Sequence, residues 1–180
     1  MNASLVAVRY ASALFQLGKE DDSLLDRLYA NCSFLLASLQ EPGELSPFLI
    51  NPVVKPGVKK KALHNVLSER LDPFTMRFLD LIIDNNREHL LVSALIDFID
   101  LYRNHKGIKS VTVITAVNVD GDFKKEIRRV IETHFKCQVE LECKVDADIL
   151  GGLILMMDGK QVDGSVTGQL RAMKKKMMIN

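Results

Sequence analysis

The sequence predicts an α+β protein, with a six-helix bundle over residues 1–105 followed by a small αβ domain over residues 106–180 ordered strand-helix-strand-strand-helix. Three observations carry that prediction. Apolar residues recur at helical spacing from Ser4 to about His105, broken at short intervals by glycine, proline and asparagine. The period changes to two after Lys106-Gly107, where a β-branched run begins at Val111. Finally, 180 residues of which 47% are hydrophobic and 26% charged suffice for one large domain or two small ones, each with its own core.

The first helix runs from Ala3 to Leu17 and stops at Gly18. On a helical wheel Arg9, Ser12, Gln16 and a stray Leu5 form a narrow wedge. Val6, Ala7, Val8, Tyr10, Ala11, Ala13, Leu14, Phe15 and Leu17 sweep roughly 220° on the other side, about twice the stripe of an ordinary surface helix. Two readings of this arc stand. Either the helix is the central one of the bundle, or one of its apolar faces is covered by a partner. Ala3, Ala7, Ala11 and Ala13 allow close helix approach in both cases. Tyr10 tilts the choice, because its hydroxyl prefers a rim where water or a partner can satisfy it. The edge formed by Val6, Tyr10, Ala13 and Leu17 is therefore the candidate partner-facing side.

Acidic Glu20, Asp21 and Asp22 suit the start of a second helix, which carries Leu24, Leu25, Leu28, Phe34, Leu35 and Leu36 to about Leu39 before Pro42-Gly43. A short helix through Leu45, Phe48 and Leu49 is closed by Asn51-Pro52, and the next begins near Pro56 with Val58, Ala62, Leu63, Val66 and Leu67. Asp72-Pro73 reads as an N-cap with proline in the first turn, opening a helix from Phe74 to Asp84. Its polar Arg77, Asp80 and Asp84 crowd into about 60°, so it is the second helix with more apolar surface than one core contact needs. A last bundle helix with Leu90, Leu91, Leu95, Phe98, Ile99 and Tyr102 ends around Asn104. Short connections between the six helices favour a bundle.

In the second half, Val111, Val113, Thr115 and Val117 alternate with Thr112, Ile114 and Ala116 as a strand. A helix from about Asp122 to Lys136 gathers Phe123, Ile127, Val130, Ile131 and Phe135 on one face. Val139, Leu141, Cys143 and Val145 alternate with polar residues in a half-buried strand, whereas Leu153 to Met157 is continuously apolar and is expected to be covered on both faces. Asp158-Gly159 is a hairpin signal, and Ser165 can cap a final helix striped by Val166, Leu170, Met173 and Met177, with Lys174, Lys175 and Lys176 in its last turn.

Little in the chain invites chemistry. Cys32, Cys137 and Cys143 are odd in number and lack CxxC spacing, and His64, His89, His105 and His134 are scattered, so neither a disulfide framework nor a metal site is expected. No hydrolase, zinc-protease or nucleotide-binding motif occurs, and no cofactor is expected. Gly151-Gly152 leads into a strand rather than a helix, which favours a packing role over a phosphate loop. A net charge of +1 offers no bulk attraction to nucleic acid. The runs Lys59 to Lys61 and Lys174 to Lys176 lack interleaved aromatics and read as solvated faces, leaving an RNA-binding module as the alternative function. Met156, Met157, Met173, Met177 and Met178 could form an adaptable contact surface, although such residues more often fill cores. No signal peptide or membrane span is evident in the sequence.

An ordered set of short motifs then stands out. Arg9-Tyr10-Ala11 with Ala13-Leu14-Phe15, Asn51-Pro52, Phe78-Leu79-Asp80-Leu81-Ile82 through Asn85 and Arg87, Leu150-Gly151-Gly152, and Asp163-Gly164-Ser165-Val166 with Leu170 resemble the delta subunit family of F-type ATP synthases. The mitochondrial counterpart is the oligomycin-sensitivity-conferring protein. The resemblance implies a non-catalytic stator subunit, peripheral on the cytoplasmic side of a bacterial membrane and held there only through its complex. It also implies that a groove between the first and fifth helices takes the N-terminal helix of an alpha subunit. On this chain the groove would comprise Val6, Tyr10, Ala13 and Leu17 facing Phe74, Arg77, Phe78 and Leu81. The b subunits of the peripheral stalk would meet the second domain around Leu153, Leu170, Met173 and Met177.

Overall fold

The computed structural model describes residues 3–135, 137–157 and 160–177, and the side chains of these except at 3, 4, 172, 175 and 176. The chain divides into two compact units, Met1–Tyr102 and Arg103–Asn180. Helix and sheet are both present, the helices alone filling the first unit.

The first unit contains α1 (Ala3–Gly18), α2 (Asp22–Gln40), α3 (Leu45–Ile50), α4 (Pro56–Leu67), α5 (Pro73–Asp84), a 3-10 turn at Glu88–Leu90 and most of α6 (Leu91–Lys106). Local chemistry sets these boundaries. The Asp21 carboxylate accepts from the backbone N–H groups of Ser23 and Leu24 at the start of α2, and Asp72 accepts from Phe74 at the start of α5. Pro56 and Pro73 occupy first-turn positions, where a missing N–H costs nothing. At the end of α1, a β carbon on Gly18 would lie 3.0 Å from Leu25 Cδ1 and 3.1 Å from its Cα, so glycine lets α1 run tightly onto α2. Asn86, at φ 52°, turns the chain out of α5, and the Arg87 N–H closes on the Ile82 carbonyl at 3.0 Å.

Leu14, Leu25, Leu28, Leu79, Ile82, Ile83, Leu95 and Phe98 make the centre of this unit. Cys32 lies among them, and burial pushes its thiol pKa up to about 12. Buried polar groups are matched: the Tyr102 hydroxyl donates to Asp26 at 2.9 Å while its ring stacks on Tyr29 at 4.0 Å. One sequence expectation fails here. Lys59 is not part of a solvated face but is 4% exposed, with its Nζ 2.6 Å from Glu88 Oε1. Only a long side chain with a carboxylate waiting at depth can be buried so deeply.

The second unit runs β1 (Ile108–Thr115), α7 (Gly121–Phe135), β2 (Gln138–Val145), a 3-10 turn at Ala147–Ile149, β3 (Leu153–Met157), β4 (Lys160–Asp163) and α8 (Val166–Met177). The sheet order is β2-β1-β3-β4, with β1 and β2 parallel and joined through α7, and with β3 antiparallel to both β1 and β4. The strand-helix-strand-strand-helix expectation is therefore one strand short. The hairpin signal at Asp158-Gly159 implies a return strand, but Lys160 to Asp163 carry no strand pattern of their own, since all four residues are exposed and only Val162 is apolar. Asp158-Gly159 and Lys136 lie outside the described residues, as do Met178 and the side chains of Lys175 and Lys176.

Val111 and Val113 of β1, Val139 of β2 and Ile131 of α7 form a core that Ile127, Leu141, Leu153 and Leu155 enclose in part. This core is smaller than the alternation implied. Val145 is 56% exposed, Val130 and Phe135 of α7 stay exposed, and Met156 is 42% exposed, so β3 is not covered on both faces.

Candidate partner-docking surface

Two of the helices with wide apolar arcs meet at Tyr10 of α1 and Phe78 of α5. The Tyr10 ring lies edge-on to the Phe78 ring, with centroids 6.3 Å apart and planes at 80°. Arg87, placed by the turn after α5, reaches back so that its Nη1 donates to the Tyr10 hydroxyl at 2.9 Å, and its Cζ stands 5.7 Å from the ring centroid. Tyr10 thus has its polar end satisfied within the chain rather than at a wet rim. With Val6 and Phe78 it is buried.

Beside that floor, both helices leave apolar side chains in water. Leu17 is 57% exposed, Leu81 51% and Phe74 38%, and Ala13 and Arg77 are exposed as well. Helical geometry explains the arrangement: Ala13 and Leu17 continue one ridge of α1 past the buried Val6 and Tyr10, while Phe74 and Leu81 continue one ridge of α5 past Phe78. The eight residues named from the sequence divide into three buried ones forming a floor and five exposed ones beside it. The acids of α5, which share its polar side with Arg77, are engaged by α4. Asp80 sits 3.0 Å from His64 Nε2 and Asp84 2.7 Å from Lys60 Nζ, a hydrogen bond that raises the Lys60 pKa.

In the second unit, α8 is held at its root. The Ser165 Oγ accepts from the Gly168 N–H at 2.9 Å, and the Asp163 carboxylate accepts from the Ser165 N–H at 2.9 Å. Hydrogen bonds to Asp163 from the Ser165 hydroxyl first, and from the Ser165 N–H second, hold the Asp163 carboxyl below its ordinary pKa. Gly152, at φ 76°, passes so close to the next segment that a β carbon there would lie 2.4 Å from the Gly164 carbonyl oxygen. The glycine pair therefore packs backbone on backbone. Beyond this root the α8 stripe is bare: Leu170 is 56% exposed, Met173 58% and Met177 73%, whereas Leu153 is half-buried against the unit's own core.

Sequence reading missed an apolar cavity of about 380 Å³ in this unit, lined by Val111, Ile131, Phe135, Cys137, Leu155, Met157 and Val162, with Lys109 and Lys160. The period-two signal placed only Val111 of these on a sheet face. It could not reveal that α7 covers only part of it. Among the described residues no cluster of His, Cys, Asp or Glu could hold a metal, and no helix is long and apolar enough to cross a membrane.

Comparison with known proteins agrees with the motifs. Relatives named ATP synthase subunit delta include those of Synechococcus sp., 34% identical with 94% of this chain and 93% of the relative covered, and of Cytophaga hutchinsonii, 32% identical with 98% and 96% covered. The fold is shared with a chain of the Toxoplasma gondii mitochondrial ATP synthase hexamer, at a TM-score of 0.77 and 20% identity over 96% of this chain and 97% of that one. The family model described as ATP synthase delta (OSCP) subunit matches residues 6–177, from the first turn of α1 to the last turn of α8. With motifs, full-length relatives and fold in agreement, this chain belongs to the ATP synthase delta (OSCP) subunit family.

Proposed function

We propose that the chain is a non-catalytic stator subunit that ties the catalytic head of an F-type ATP synthase to its peripheral stalk, so that rotation of the central shaft does not drag the head with it. The observation that carries this reading is the row of exposed apolar side chains, Ala13 and Leu17 on α1 and Phe74 and Leu81 on α5, beside the buried Val6, Tyr10 and Phe78. A strip of this form accepts one amphipathic helix. Covering each half-exposed leucine or phenylalanine contributes about 1 kcal/mol, the partner's own stripe adds a similar amount, and nanomolar binding needs about 12 kcal/mol net. The occupant is the N-terminal helix of an alpha subunit. In the second unit, the bare stripe of Leu170, Met173 and Met177 on α8, together with the sheet near Leu153, receives the b subunits of the stalk. Attachment to the bacterial cytoplasmic membrane, on its cytoplasmic side, is then indirect, through those subunits.

A connector that resists torque needs surfaces rather than reacting groups, and six arranged helices and a small sheet provide them. The alternative of an RNA-binding module lacks support, since Lys59 is buried on Glu88 and Lys60 is paired with Asp84. The direct test is titration of the full chain with a peptide spanning the N-terminus of the cognate alpha subunit. Amide shifts in α1 and α5 are expected; shifts confined to other elements would overturn the docking assignment.

A further inference from the structure

The charged side chains left without a partner beside the α1/α5 strip are two arginines. Helix α1 carries Arg9 and no other charged residue, and Arg9 lies on the same ridge as Ala13 and Leu17, at successive four-residue steps. On α5, Arg77 lies between Phe74 and Leu81 on the exposed ridge. Both arginines are exposed and neither has a hydrogen bond or ion pair among the described residues. Asp80 and Asp84 share the polar side of α5 with Arg77, but Asp84 is paired with Lys60 of α4 and Asp80 is hydrogen-bonded to His64. The only polar group on the floor, the Tyr10 hydroxyl, is already satisfied by Arg87.

On the docking reading given above, which this step presupposes, we infer that the strip selects an acidic amphipathic helix, one whose apolar stripe is flanked by carboxylates on both sides. The floor asks for apolar side chains only. Each wall offers a guanidinium with no hydrogen-bond partner of its own among the described residues, and its planar fork suits a carboxylate. A lysine-flanked helix of equal hydrophobicity meets the same floor but faces like charges at both walls.

The test uses the full chain and two synthetic helical peptides of about 20 residues sharing one leucine stripe, the first flanked by glutamates and the second by lysines. Binding is followed by fluorescence anisotropy. Exposed pairs contribute modestly, so the glutamate peptide is expected to bind about tenfold more tightly at low salt, with the gap narrowing at 0.5 M salt as screening takes hold. The double variant Arg9→Glu, Arg77→Glu should reverse the preference without changing the circular dichroism of the protein, since both side chains are exposed. Equal affinity of the two peptides would overturn the charge inference while leaving the groove intact. Binding of neither would overturn the groove itself, and a glutamate preference that survives the double variant would place the selecting charges elsewhere.

Discussion

Replacing Ala13 with aspartate separates docking from folding, because the Ala13 side chain is exposed in the free chain and, in the docking proposed above, would lie under the occupant. In the free chain the new carboxylate stays hydrated on an exposed ridge beside Leu17. Folding then loses only helix propensity, about 0.7 kcal/mol, or roughly 3 to 6 °C in the melting temperature of a unit of this size. In the complex the same carboxylate loses its water between Leu17, Tyr10 and an apolar stripe. A penalty of about 3 kcal/mol after relaxation corresponds to a Kd raised roughly 150-fold. Calorimetric titration with the alpha-subunit peptide measures that change, and circular dichroism melts check that the helices survive. Val8→Asp is the positional control, since Val8 is 42% exposed on the opposite flank, and because valine and aspartate have similar helix propensities it changes that term little. A folded Ala13→Asp protein whose Kd stays within about twofold of the parent would refute the argument. Tyr10→Asp is a poorer probe. Tyr10 is 9% exposed, packs on Phe78 and holds Arg87, so its loss costs about 3 to 5 kcal/mol of folding, a large share of a small domain's stability.

Removing one partner of the buried pair, as in Lys59→Ala, strands Glu88 and should destabilise the first unit by about 3 to 5 kcal/mol in urea unfolding, while Lys59→Met combined with Glu88→Leu recovers most of that loss. Gly152→Ala meets both a positive φ and the Gly164 carbonyl, so a loss above about 2 kcal/mol is expected; Gly168→Ala meets only the movable Asp163 carboxylate and should cost about 1 kcal/mol, both read from thermal melts. Because Asp163 has its pKa lowered by folding, its contribution is complete above the ordinary carboxyl value of 3.8 and fades as pH falls through the lower folded value. Asp163→Asn should therefore flatten the acid limb of the second unit's stability, measured by melts between pH 2 and pH 5. Cys32, with its thiol pKa near 12, should resist iodoacetamide at pH 8 until urea opens the bundle, as mass spectrometry of the alkylated peptides would report.

Helix limits were legible because they rest on local chemistry: Asp72-Pro73 caps α5 as its sequence predicts, and the acidic run at 20–22 marks the start of α2, where Asp21 supplies the cap. Ser165 at the root of α8 was legible for the same reason. What stayed hidden depends on distant partners. A lysine run gives no sign that its first member will find a carboxylate 29 residues away, and that contact decides whether Lys59 is wet or buried. The width of the α1 arc marked two faces, but only the packed structure separates the floor residue Tyr10 from its exposed neighbours Ala13 and Leu17. Periodicity reports which side chains share a face; it says nothing about whether the covering element is wide enough, and the open cavity beside α7 is the result.

The way α8 is rooted bears on how it transmits force. Its stripe touches little of its own unit, yet the Gly164 N–H donates to the Leu153 carbonyl and the Val166 N–H to the Gly151 carbonyl, each at 3.0 Å. A pull along this arm therefore enters β3 through main-chain hydrogen bonds at one end, rather than being spread over a deformable bed of side chains. The stiffness of the joint is set by backbone geometry that only glycine at 152 permits, and a softer hinge would follow from any residue that pries the two strands of chain apart.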